Sequence, residues 1–176
     1  MGLVLTRRRL AGLALGGAGL AAAGRRAAAD APLPAPAEKP LITITGKIRT
    51  FNAADSVRLD RAGLEGLGTA SFVTKTPWYP EPVRFEGVPM ARLMTAVGAF
   101  GDMAVATALN DYVTEIPVGD FSMYNVLLAL KRDGEYMSPR DKGPLFIVYP
   151  YDSDPTLRHQ RFYSRSAWQL ARLLVR

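Results

Sequence analysis

The 176-residue chain contains no cysteine and a single histidine, His159. The first absence excludes disulfides, thiolate metal ligands and thiol nucleophiles together. The second leaves His159 without a partner for any common histidine metal site. Long apolar runs are also missing: Leu10 to Gly24 is the longest weakly polar stretch, and five glycines dilute its fifteen residues. A spanning helix wants about 20 predominantly apolar residues, so this stretch predicts a removable segment, with an uncleaved tether as the alternative.

What surrounds that stretch is an export signal. Arg7, Arg8 and Arg9 precede it, Arg25 and Arg26 close it, and Ala27 to Ala29 offer small side chains to a peptidase before Asp30. Thr6-Arg7-Arg8-Arg9-Leu10 follows the twin-arginine pattern, in which a hydroxyl residue precedes the arginine pair, and that route carries folded cargo. Residues 1-29 are therefore expected to be a Tat-like signal peptide, with a periplasmic mature protein that meets the membrane only during export. The leader holds five arginines and no acidic residue, so its removal turns 22 basic and 16 acidic side chains into 17 against 16. The net charge of +6 thus belongs mostly to the signal, and nothing in the mature chain calls for nucleic acid or an anionic membrane.

Residues 30-40, DAPLPAPAEKP, have no apolar periodicity and predict an extended, solvated Pro/Ala-rich linker. Residues 41-176 then read as a single α+β domain. LITITGKI (Leu41 to Ile48) and SVRLD (Ser56 to Asp60) predict paired strands, Asp60 a capped turn over Arg61 to Leu67, and ASFVTKT another strand. A helix is expected from Pro89, after a turn at Glu86-Gly87, through Met90, Leu93, Met94 and Val97 to a stop at Gly98. Ala104 to Pro117 reads as a strand pair or one bent strand around Asn110-Asp111, and Phe121 to Lys131 as a second helix ending at Asp133-Gly134. Pro144 to Pro150, PLFIVYP, is apolar at strand length and predicts a central strand buried on both faces.

In order along the chain, LITITGKI, RFEGVPMARLM, DYVTEIP, LLALKRDGEYMSPRDKGPLFIVYP and SRSAWQL resemble the molybdopterin-binding domain of the sulfite oxidase family of oxidoreductases. The likeness covers most of Leu41 to Val175. It implies that family's fold of short mixed strands and a few short helices. It also implies a cysteine ligand to molybdenum between the opening strands and the Gly-Val-Pro helix, but that interval reads TASFVTKTPWYPEPVRFEGVP, without a sulfur donor.

The resemblance further implies that the Ser-Arg-Ser segment holds the cofactor's phosphate. Within DSDPTLRHQRFYSRSAW, Arg158, His159, Arg161, Ser164, Arg165 and Ser166 are the candidate anion or pterin-phosphate pocket, with Asp111, Tyr112 and Trp78 at its rim. The bland reading of the same segment is a solvated loop whose arginines pair with Asp152 and Asp154, with His159 an ordinary loop residue and Trp168 a core anchor. A hydrolase reading, with Ser164 or Ser166 as nucleophile and His159 as its base, lacks a Gly-x-Ser-x-Gly elbow. Two functions follow. One is a non-catalytic module without cofactor that binds a small anion or docks on a periplasmic or membrane protein. The other is an oxidoreductase that holds molybdopterin through its phosphate, without a protein thiolate.

Overall fold

In ITITG the β-branched residues alternate, and the alternation decides which side faces the core: Ile42 and Ile44 are buried while Thr43 and Thr45 are half-exposed. This strand, β1 (Ile42–Gly46), pairs antiparallel with β2 (Val57–Leu59) and parallel with the last strand of the chain, β10 (Leu170–Val175). β5 (Met103–Ala108) and β6 (Val113–Pro117) extend the sheet in the order β2-β1-β10-β5-β6. The computed structural model describes residues 33–176, so the expected signal peptide and the start of the expected linker lie outside the described residues.

A second sheet is built on the hairpin of β3 (Ala70–Thr76) and β4 (Tyr79–Pro89), turned at Pro77 and Trp78. β7 (Leu127–Arg132) follows β4, and its far edge is shared by β8 (Glu135–Tyr136) and β9 (Phe146–Val148). Gly87 lies where β4 slips register against β7, and a Cβ there would collide with the backbone of Leu128. The expected turn at Glu86-Gly87 is thus a bulge inside a strand.

Among the described residues four short helices fill the connections: α1 (Arg61–Gly66), α2 (Met90–Ala96), α3 (Val118–Met123) and α4 (Gln160–Arg165). Asp60 caps α1 by accepting from the Gly63 N–H at 2.8 Å, as the sequence suggested. α2 buries Met90, Leu93 and Met94 and ends before Gly98 at φ +61. No described helix is long and apolar enough to cross a membrane.

One further expectation is corrected. The helix expected over Phe121 to Lys131 is α3, which ends at Met123, followed by Asn125 at φ 52 and then a strand. Leu127 to Leu130 are all buried because β7 is covered on both faces, so their apolar run carries no helical stripe. The linker is not free from Leu33 onward: the Ala37 and Glu38 N–H groups donate to Asp60 Oδ2 at 2.8 and 3.0 Å, and Leu33 packs on the core. These contacts, with the Gly63 N–H foremost, hold the Asp60 carboxyl below its ordinary pKa.

Phe146 to Val148 are fully buried, as the apolar run implied. β9 has a strand neighbour on one edge only. On the other, Ile147 N donates to Ala167 O at 2.9 Å and Leu170 N to Leu145 O at 3.0 Å, and Phe146 bridges Trp168. The chain entering β10 in the first sheet therefore closes on β9 in the second. This seam carries the residues of the candidate site.

Candidate functional site

The β3–β4 turn delivers Trp78 to the seam. Its indole meets Phe146, Tyr151, Tyr163 and Trp168 edge to face, with ring centroids 5.4, 6.2, 6.1 and 5.6 Å away. Such pairs each add about 0.5–1.5 kcal/mol beyond the area they bury. Trp168 is half-buried in this cluster and walls a cleft, where a core anchor was expected.

Two clefts flank the cluster and share Pro77 and Tyr163. One, of about 380 Å³, is lined by Lys75, Thr76, Tyr151, Asp152 and Arg158 as well as the shared pair. The other, of about 300 Å³, is lined by Trp78, Asn110, Tyr112, Gln160, Ser164, Ser166 and Trp168 as well as that pair. The first carries two cations against one carboxylate; the second carries no charged residue.

The arginine segment divides between these surroundings. Arg158 donates from Nη2 to Asp152 Oδ1 at 2.7 Å and from Nε to Tyr151 O at 3.3 Å. Asp152 also accepts from the Lys75 N–H at 2.6 Å, and that bond with the Arg158 pairing holds its carboxyl below the ordinary pKa. The Lys75 ammonium makes no ion pair among the described residues. Asp154 pairs with no arginine among the described residues; it accepts from the Thr156 N–H at 2.8 Å at the start of a 3₁₀ turn.

Arg165 turns inward. Its Nη1 donates to Asp120 Oδ2 at 2.7 Å, and the same oxygen accepts from the Tyr149 hydroxyl at 2.9 Å. Desolvation and the Asp120 charge raise the pKa of Tyr149 far above that of a free phenol, so it remains a donor. Ser166 is equally committed: its hydroxyl bonds the Tyr151 hydroxyl and donates to Phe162 O at 2.9 Å.

The remaining candidates have local roles. His159 caps α4, accepting at Nδ1 from the Arg161 N–H at 3.2 Å, while Arg161 is exposed. Ser164 accepts from Gln160 Nε2 at 3.3 Å. Tyr112 donates to Ser164 O at 2.7 Å and so ties the β5–β6 turn to α4, whereas Asp111, at φ 61, is exposed and faces Arg172 at 3.8 Å. Of the three arginines, only Arg158 lines either cleft.

This arrangement offers binding groups and little chemistry. Ser166 is buried with its hydroxyl spent, and neither Ser164 nor Ser166 bonds His159, so no nucleophile and base are paired. A molybdopterin bound here would find no cysteine thiolate anywhere in the chain, and no cluster of three His, Asp or Glu exists among the described residues. The residues present do not fit the metal half of that cofactor. Lys75 was visible in the sequence only as a member of the cysteine-less interval. Its place opposite Arg158 depends on Asp152 reaching its backbone from 77 residues away.

No family model matches the chain, and no curated protein matches its sequence. Among solved structures it is similar to the sulfane dehydrogenase SoxCD from Paracoccus pantotrophus, with 15% identity and a TM-score of 0.58 over 76% of this chain. The match spans 37% of that protein's chain, so this chain corresponds to well under half of it. The likeness extends to the fold alone, mixed sheets with few short helices.

Proposed function

We propose that the chain is an exported periplasmic binding module on a molybdopterin-oxidoreductase-like fold, without a catalytic role of its own, that takes a small anion between Lys75 and Arg158. The observation that carries this reading is the charge balance of the larger cleft. Asp152 neutralises one cation, Lys75 remains unpaired among the described residues, and Arg158 Nη1 makes no hydrogen bond among them. A planar guanidinium and an ammonium facing one cleft suit a phosphate, sulfate or carboxylate. The site therefore shifts from the three-arginine cluster to Lys75 and Arg158.

Thermal melts in phosphate against chloride at equal ionic strength test it. Binding to the folded state alone gives a saturable rise, worth about 2.7 kcal/mol at a hundredfold excess over Kd. Lys75→Ala should abolish the rise. An equal, unsaturable response in wild type and Lys75→Ala would mean generic exclusion of salt from the surface and would leave partner docking as the function. Stoichiometric molybdenum in protein recovered from the periplasm would overturn the non-catalytic reading. The export half is tested separately: Arg7→Lys with Arg8→Lys should retain folded protein in the cytoplasm, since an ammonium does not reproduce the guanidinium pair.

A further inference from the structure

Trp78 and Trp168 are the chain's only tryptophans, and both line the smaller cleft beside Tyr112 and Tyr163. Trp78 meets Trp168 with the planes at 74° and Tyr163 with the planes at 77°. Rings set nearly at right angles cannot all stack on one flat ligand. A compact, rounded group can meet several of them at once.

The rest of the lining narrows the chemistry. Asn110, Gln160, Ser164, Ser166 and Pro77 are neutral. With no cation in the wall, nothing draws an anion into this cleft. With no carboxylate, nothing replaces the water lost by a metal ion or a primary ammonium. The hydroxyls of Tyr112 and Ser166 are already bonded within the protein, so hydrogen bonding adds little there. Neutral π faces around a small volume are what recognises a weakly hydrated methylated ammonium. Trp168 already carries a cation in this way, since Lys142 Nζ, which does not line the cleft, sits 5.0 Å from its ring centroid.

We infer that the two clefts form one site for a small zwitterion: its methylated ammonium enters among Trp78, Tyr112, Tyr163 and Trp168, and its anionic group reaches Lys75 and Arg158 past the shared Tyr163. The anionic half rests on the function proposed above; the ammonium half stands on the aromatic cleft alone.

Because both tryptophans lie in the cleft, intrinsic fluorescence of the full chain reports on this site. Three probes at constant ionic strength separate the terms: choline, its neutral carbon isostere 3,3-dimethylbutan-1-ol, and phosphocholine. Choline should give a saturable change, the neutral alcohol should bind about tenfold more weakly, and phosphocholine about tenfold more tightly. Lys75→Ala should erase the gain of phosphocholine over choline while leaving choline itself unchanged. Tyr112→Ala should weaken choline and Tyr112→Phe should not; Tyr112 is 44% exposed, so both variants should fold. No saturable change with choline, equal binding of the neutral isostere, or indifference to Tyr112→Ala overturns the aromatic half. Equal affinities for choline and phosphocholine overturn the zwitterion. With a normal phosphate melt the fault then lies in joining the clefts, and without one it lies in the anion reading.

Discussion

Arg158 and Arg165 each hold an aspartate at 2.7 Å, in one short segment of chain, yet the two pairs do different work. Arg158 and Asp152 have side-chain exposures of 55% and 34%; Arg165 and Asp120 have 21% and 11%, with the Tyr149 hydroxyl on the shared oxygen. Equal distance therefore says nothing about equal energy. In water the first pair exchanges hydration for a modest attraction, whereas in the second the desolvation is already spent and each partner is the other's main compensation. The exposed pair is free to serve a ligand; the buried pair holds α4 to α3 and to Tyr149, just past the end of β9.

The largest effect should come from breaking the buried pair. Arg165→Ala leaves the Asp120 carboxylate with one phenol as its donor, and the loss of one partner of a buried pair costs about 3–5 kcal/mol. Urea unfolding measures it, and a double-mutant cycle with Asp120→Ala should return a coupling well above that of the Arg158/Asp152 cycle. Couplings of equal size would collapse the distinction. Arg165, a candidate for the anion pocket by sequence, is committed to Asp120 in the fold, so its removal is expected to register in stability.

A second, smaller effect separates the regions by pH. The raised pKa of Tyr149 means that the folded state keeps a proton which the unfolded chain releases near pH 10. Its contribution is fully present below that pH and is lost as pH rises toward the folded value. Tyr151, raised by burial, acts in the same direction. Tyr149→Phe should lower stability at neutral pH by about 1–3 kcal/mol, because Asp120 loses a donor, and should flatten the alkaline decline. An unchanged alkaline limb in Tyr149→Phe would place the titration elsewhere.

The difference between the regions also marks how far the sequence could be read. Local rules carried β1, the β5–β6 pair around Asn110-Asp111, α2 with its stop before Gly98 and the turn at Asp133-Gly134, because each is decided by neighbours within a few positions. They failed at Phe121 to Lys131, where an apolar run buried on both faces looks alike in helix and strand. They also could not tell Arg158 from Arg165. The residue that distinguishes them, Asp120, lies 45 positions from Arg165, and its burial follows from sheet packing that no spacing announces. The aromatic cleft was half legible: Trp78 and Tyr112 stood out as rim residues, while their convergence with Trp168 required the seam between β9 and the chain entering β10.

The smallest effect belongs to the exposed pair, and its smallness is the point. Arg158→Ala should change stability near neutral pH by about 0.2–1 kcal/mol, because a surface ion pair contributes little and Asp152 retains the Lys75 N–H and open water. The change should depend on pH in the opposite sense to that of Tyr149. Asp152 has its pKa held down in the fold, first by the Lys75 N–H and then by Arg158, so its contribution is present above the unfolded carboxyl value near 3.9 and is lost as pH falls through the folded one. Wild type and Arg158→Ala should accordingly differ at pH 6 and converge below pH 3 in urea unfolding, with the remaining acid dependence set by the Lys75 contact. A loss of several kcal/mol in Arg158→Ala at pH 6 would make this pair structural like its neighbour, and would leave the larger cleft without a guanidinium free to bind.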